Sequence, residues 1–234
     1  MASDSQFFDR DCVLMLHGDG VDASTTSGDS SFSNPKVMTN SANAQIDTSQ
    51  SKFGGASMQF DGSGDNFFAP DSDDWTLGTQ NTIDFWFMST GFTASQGFFA
   101  QVGAGVGNFY ALFSSAGTTI LRFRHSSANV ITINLDWNAT LSADTWYHIA
   151  LVKNASDYTL YQDGSSLGLQ TNTAQILNFD DRFSVGGASV LNSLNGWLDE
   201  FRFVKGTAVW TSDFTTAGTA YRRKEIDSNI MVFS

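Results

Sequence analysis

The stretch "TIDFWFMS", Thr82 to Ser89, alternates along its length. In an extended strand Ile83, Phe85 and Phe87 share one face, and Asp84, Trp86 and Met88 share the other. "NVITINLD" (129–136) behaves alike: Val130, Thr132, Asn134 and Asp136 oppose Ile131, Ile133 and Leu135. Outward from these two, strand signals recur at short spacing: 12–17, 44–47, 56–61, 66–69, 97–102, 108–114, 119–125, 146–154, 158–164, 182–187 and 196–204. Turn chemistry separates them, as in "GDG", "DGSGD", "SSAGT" and "NASD". "YTLYQDGSSLGLQ" reads as a hairpin, with Asp163 and Gly164 supplying positive φ. No helical period appears, and "TAVW" (207–210) is the most helix expected. About thirteen such strands predict an all-β, two-sheet antiparallel sandwich.

Composition agrees. The chain has 234 residues, 41% hydrophobic and 14% aromatic, with 21 Phe and only 2 Pro, enough to fill the core of one large all-β domain. Of 24 acidic residues 22 are Asp, which suits turns, and only Glu200 and Glu225 are Glu. A net charge of −12 repels phosphate backbones and anionic lipid, so neither nucleic acid nor membrane is an expected partner. No apolar run approaches the roughly 20 residues of a membrane helix. The N-terminus has no basic n-region and no apolar h-region, so no secretory signal is expected. The lone Cys12 opens the apolar run "CVLMLH" and reads as a buried thiol.

Several motifs occur in order. They are "LMLHGDGVDASTTSGDSS", "AQIDTSQSKFGGASMQFDGSGDNFFAPDSDDWTLGTQNTIDFWF", "LSADTWYHIALVKN", "YTLYQDG", "FSVGG" and "LNGWLDEFRFVKGTAVWTSDFT". Together they resemble the laminin-G-like domains of the concanavalin A-like lectin/glucanase superfamily, above all the single-domain branch common in phage and marine metagenomic proteins. The resemblance runs from about Cys12 to Tyr221 and implies a jelly-roll sandwich. Two departures are Gly18, where the family more often has an aromatic, and Asp84, where it usually has Glu. The implied organisation is an N-terminal arm (1–11), a jelly-roll domain (12–221) and a C-terminal arm (222–234).

Retaining glucanases of that superfamily carry two Glu on one strand with an Asp between them. Such hydrolysis needs two carboxyl groups about 5–5.5 Å apart. Here Glu200 is the one Glu of the domain body, and its neighbour Asp199 points to the opposite face of a regular strand unless a bulge intervenes. There is no GxSxG elbow, no zinc-type His/Cys cluster and no Gly-rich phosphate loop. No enzymatic activity is expected.

Many relatives bind one structural calcium where an N-terminal loop meets the last long strand. The resemblance therefore implies Asp19 and Asp199 as side-chain ligands, with a carbonyl near Gly62. The other reading of Asp199 is a turn anchor. Glu200 is expected to be an outward partner of a basic side chain. Sugars stack on aromatic faces beside amides and carboxylates, which singles out Trp86 and Trp137 among six tryptophans.

Two functions stay open. One is a non-catalytic virion structural protein, a capsid decoration or tail-associated protein at the virion surface, contacting host glycans. The other is a stand-alone, extracellular carbohydrate-binding or adhesion module. The basic Arg222–Lys224 cluster and the apolar tip Ile230–Phe233 suggest that the termini mediate self-association or contact other virion proteins.

Overall fold

The computed structural model describes residues 11–32 and 34–222. The arms expected at 1–11 and 222–234 fall almost wholly outside the described residues.

Among the described residues fifteen strands follow one another: β1 (Cys12–Leu16), β2 (Thr39–Ser41), β3 (Gln45–Asp47), β4 (Ser57–Asp61), β5 (Asn66–Ala69), β6 (Gln80–Ser89), β7 (Gln96–Val102), β8 (Phe109–Ser114), β9 (Ile120–Ser127), β10 (Val130–Asn138), β11 (Tyr147–Asn154), β12 (Asp157–Gln162), β13 (Ser165–Thr171), β14 (Phe183–Val185) and β15 (Asn195–Lys205). All pairings between these strands are antiparallel. One sheet has the order β13-β12-β11-β6-β15-β4-β3, with β1 also paired to β15, and the other has the order β10-β9-β8-β7-β14-β5-β2. The two-sheet jelly-roll expectation holds.

The alternation seen in the sequence positions the core. Phe85 and Phe87 of β6 pack with Phe98 and Phe99 of β7 and Phe201 of β15 at centroid separations of 4.7 to 6.4 Å. Such rings bury large apolar areas and prefer tilted, edge or offset contacts. At the 163–164 turn, Asp163 (φ 51°) and Gly164 (φ 82°) take the positive φ values that the hairpin requires. Its second arm became β13, and β2, sequence "TNS", carried no strand signal. "TAVW" forms no helix; among the described residues the one helical turn is a 3₁₀ turn at Asp73–Trp75, capped by Ser72.

The larger sheet is covered on its outer side as well. Beyond β15 the chain crosses back over that face. Trp210 and Phe214 stack at 4.0 Å and pack with Ala150, Val152 and Tyr161. Tyr221 packs with Cys12 and Met15. The Cys12 thiol is buried and pushed up to about 12, an inert group. Most of β6 and the C-terminal half of β15 are therefore enclosed on both faces.

Candidate functional site

β15 is the hub of the outer face. Its N-terminal half pairs with β4 and its C-terminal half with β1, while β6 runs along its other edge. Between Asp199 and Arg202 the register shifts, and Glu200 adopts φ 51°. This bulge turns both neighbouring carboxylates toward the outer face, where both are buried. Glu200 therefore faces outward and meets a basic side chain, as expected, but it is buried beneath that face's cover and not exposed to solvent. His17 Nδ1 donates to its Oε1 at 2.8 Å, and the Tyr221 backbone N–H donates to its Oε2 at 2.6 Å.

Asp199 behaves as an anchor. Its Oδ2 accepts the backbone N–H groups of Lys52 at 2.8 Å and Phe53 at 2.9 Å. Burial pushes its carboxyl up to about 7 against those two hydrogen bonds, and the negative charges of Glu200 and Asp19 push the same way. Asp19 reaches the same place from the first loop. A Cβ on Gly54, which has φ +66°, would sit 1.8 Å from Asp19 Oδ1, so only glycine fits beneath that carboxylate. Gly62 is elsewhere: it meets Asn195, the residue opposite Asp61, at the far end of the β4–β15 ladder. The structure brings Asp19 and Asp199 together and leaves Gly62 out.

These two residues fit a hard cation. Among the described residues Asp199 Oδ1 is buried with no hydrogen-bond partner, which is where a cation would replace lost hydration. No group of three His, Cys, Asp or Glu side chains forms a metal cluster among the described residues. A calcium held by Asp19 and Asp199 would take its remaining oxygen ligands from backbone carbonyls and water.

Beside this hub lies a second buried network. Asp84 accepts from Arg202 Nε at 2.9 Å and from the Tyr221 hydroxyl at 2.6 Å, with His148 Nε2 3.6 Å away. Burial works to raise its carboxyl, but the Arg202 guanidinium and His148 hold it below the usual carboxylate range. Asp84 is thus fully occupied inside the sheet's cover.

The tryptophans singled out from sequence are both enclosed. Trp86 is 5% exposed, wedged against Phe53 and His148 with the Lys52 ammonium 3.9 Å over its ring. Trp137 is 2% exposed, belongs to the main core and donates from Nε1 to Gly168 O at 2.8 Å. Neither offers an open ring face to a sugar. Of the six tryptophans only Trp146 and Trp197 are half-buried rather than buried.

Trp197 has the more developed surroundings. It pairs directly with Gln59 of β4, which pairs with Gln45 of β3, and on its other side with Met88 of β6. Directly paired residues point to one side, so an indole and two amides form a row on the outer face. Trp197 Nε1 donates to Asp47 Oδ2 at 2.6 Å, which fixes the ring. Despite burial, hydrogen bonds from Ser49 and Trp197 hold Asp47 below the usual carboxylate range. Gln45 Nε2 donates to Gln59 Oε1 at 2.9 Å. No described residue takes Gln45 Oε1 or Gln59 Nε2, so one acceptor and one donor face outward.

Next to that row opens a pocket of about 350 Å³, lined by Thr25, Asn43, Gln45, Gln59, Asp61 and Asp65 among others. Asp65 is buried and accepts the backbone N–H groups of Asn43 and Asp61, each at 2.7 Å. Asp61 is exposed at the rim, where its carboxylate accepts from Asn43 Nδ2 at 3.1 Å and from the Ser63 N–H at 2.8 Å. The side-chain hydrogen bond from Asn43 holds Asp61 below the usual range, whereas burial raises Asp65.

The laminin-G-like sequence profile of the concanavalin A-like lectin/glucanases superfamily matches residues 61–210. The chain belongs to this superfamily. No curated protein matches it. Among solved structures, domain 4 of AbnA, a GH43 extracellular arabinanase from Geobacillus stearothermophilus, in complex with arabinotriose, superposes with a TM-score of 0.63 at 16% identity, covering 84% of this chain and 93% of that one. The botulinum neurotoxin type G receptor binding domain superposes at 0.59 and 12% identity, covering 84% of this chain and 48% of that one. A structure of botulinum neurotoxin type C, whose cell entry depends on interaction with two ganglioside molecules, gives 0.59 at 9% identity, covering 82% of this chain and 47% of that one. The chain spans about half the length of the toxin chains. At these identities the likeness concerns the fold, which this lectin-like jelly roll shares with both groups.

The superfamily match does not mark the Trp197 row. Its signal in the sequence was the polar pair Gln45 and Gln59 at outward strand positions; the pairing that lines them up with Trp197 depends on sheet order.

Proposed function

We propose that this protein is a non-catalytic glycan-binding module whose contact surface is the Trp197 row and the pocket beside it. The observation that carries this reading is a half-buried indole, locked by Asp47, in register with the outward amide groups of Gln59 and Gln45. Sugar rings lay their CH faces on such indoles while amides and carboxylates read hydroxyls. Non-catalytic action is supported by the engagement of Asp199 and Glu200 in holding neighbouring segments onto β15. The likeness to a domain complexed with arabinotriose supplies the oligosaccharide class to try first. The test is calorimetric titration of the full chain with a panel of oligosaccharides, repeated on Trp197→Ala. Binding that disappears in the variant, with the fold intact, is expected; binding indifferent to Trp197 would refute the assignment.

The same reading has two finer parts. Calcium is proposed as a structural ion held by Asp19 and Asp199, supported by the buried, unsatisfied Asp199 Oδ1. A place on a virion surface, decorating a capsid or tail, is proposed on the resemblance to phage-encoded single-domain relatives. Detection of the chain in purified particles by mass spectrometry and antibody labelling tests that placement.

A further inference from the structure

We infer that the pocket beside Trp197 selects uncharged glycans with vicinal hydroxyl groups and rejects sialylated or uronic-acid glycans. This rests on the proposal that the Trp197 row is a glycan surface, and it specifies the ligand class. Hydrogen-bond acceptors dominate the pocket. Asp61 presents its carboxylate at the rim, Asp65 lies directly behind it, and Gln45 Oε1 faces outward beside them. A vicinal diol satisfies such a wall well, because its two hydroxyls donate together to one carboxylate.

A carboxylate-bearing sugar meets the opposite situation. Among the described residues no basic side chain lines the pocket. The adjoining Asp47 adds a further negative charge next to Trp197 Nε1. The cation of the neighbouring loop, Lys52, spends its ammonium over the Trp86 ring and does not line the pocket. The whole chain carries a net charge of −12, so the long-range field also disfavours an anion. Like charges at close range act as a repulsive selection against the wrong ligand. The pocket's amide donors are neutral: Gln59 Nε2 and the second N–H groups of Asn43 and Gln45 can serve a hydroxyl or ring oxygen but bring no positive charge to compensate an anion.

The test is titration of the full-length protein at low salt with arabinotriose, cellotriose and laminaritriose against trigalacturonate and 3′-sialyllactose. At least one neutral trisaccharide should bind ten times or more tighter than either anionic one. Asp61→Asn should narrow that gap to about threefold, and added salt should narrow it in the wild type. Trp197→Ala, with Gln59→Ala as a milder second variant, should weaken neutral binding at least fivefold. If both variants weaken binding but anionic sugars bind as tightly as neutral ones, the selectivity is wrong while the glycan surface stands. If nothing binds, or neither variant matters, the surface assignment fails and the selectivity with it.

Discussion

His17 and Glu200, 183 positions apart in sequence, meet at 2.8 Å beneath the outer face of the larger sheet. The contact exists because β1 pairs with the second half of β15 and because the bulge at Glu200 aims its carboxylate outward. Replacing Glu200 by Ala would leave His17 Nδ1 and the Tyr221 N–H buried without partners. Such losses cost about 2–4 kcal/mol, or a drop of about 5–15 °C in Tm for a domain of this size. Urea unfolding measures it, and a change below about 0.5 kcal/mol, the level of an ordinary surface substitution, would contradict the hub.

Asp84→Asn removes the charge that balances the buried Arg202. Breaking one side of such a pair costs about 3–5 kcal/mol. The folded carboxyl lies below its unfolded value of 3.8, so its stabilisation is full above pH 3.8 and is lost as pH falls through the folded value. The variant should therefore be less stable at neutral pH and show a shallower acid limb, read by stability against pH.

His125 sets a second pH dependence. Its Nε2 accepts the Leu177 N–H at 3.1 Å, so Nδ1 carries the proton toward Thr132. Burial lowers its pKa below 6.5, and the neutral ring is the folded form. The unfolded chain takes the proton first, so this contribution is full above pH 6.5 and declines as pH falls below it. His125→Gln should abolish the decline just below pH 6.5 in thermal melts.

Calcium should raise the Tm of the wild type linearly with log concentration above its Kd. EDTA should lower that Tm and leave Asp199→Ala unmoved. Equal wild-type melts with and without EDTA, on protein shown by metal analysis to carry no ion after EDTA treatment, would end the calcium proposal.

No reducing ends should appear when the protein is incubated with laminarin, agarose, carrageenan or arabinan. Release of sugar that Glu200→Gln abolishes would overturn the non-catalytic reading.

Much of the fold was legible in period-two alternation. A strand with one face in the core displays that pattern directly, as 82–89 does. Trp137 could have been placed correctly the same way, since it continues the Ile133 and Leu135 face into the core. Trp86 could not. Its face is sealed by Phe53 from one loop, and the neighbouring His148 by Trp210 and Phe214 from the chain beyond β15. A covering segment without regular structure has no period to read. The burial of Glu200 on the same face as Asp199 was missed for a related reason: a non-glycine bulge at φ 51° is imposed by tertiary contacts and has no local marker. The Trp197 row depends on β3, β4, β15 and β6 lying side by side, an order that strand signals do not state.

That order has a consequence for biosynthesis. β15 lies in the middle of the larger sheet yet comes last in sequence among the described strands. Until residue 205 has left the ribosome, β4 and β6 lack the strand that joins them, and β1 has no partner in the sheet. A nascent chain that stops short of β15 therefore carries unpaired strand edges, and the larger sheet closes only after translation has passed β15. A ribosome stalled before β15 should hold a chain that proteases cleave readily and that chaperones retain, and release of the eleven-residue β15 should end both.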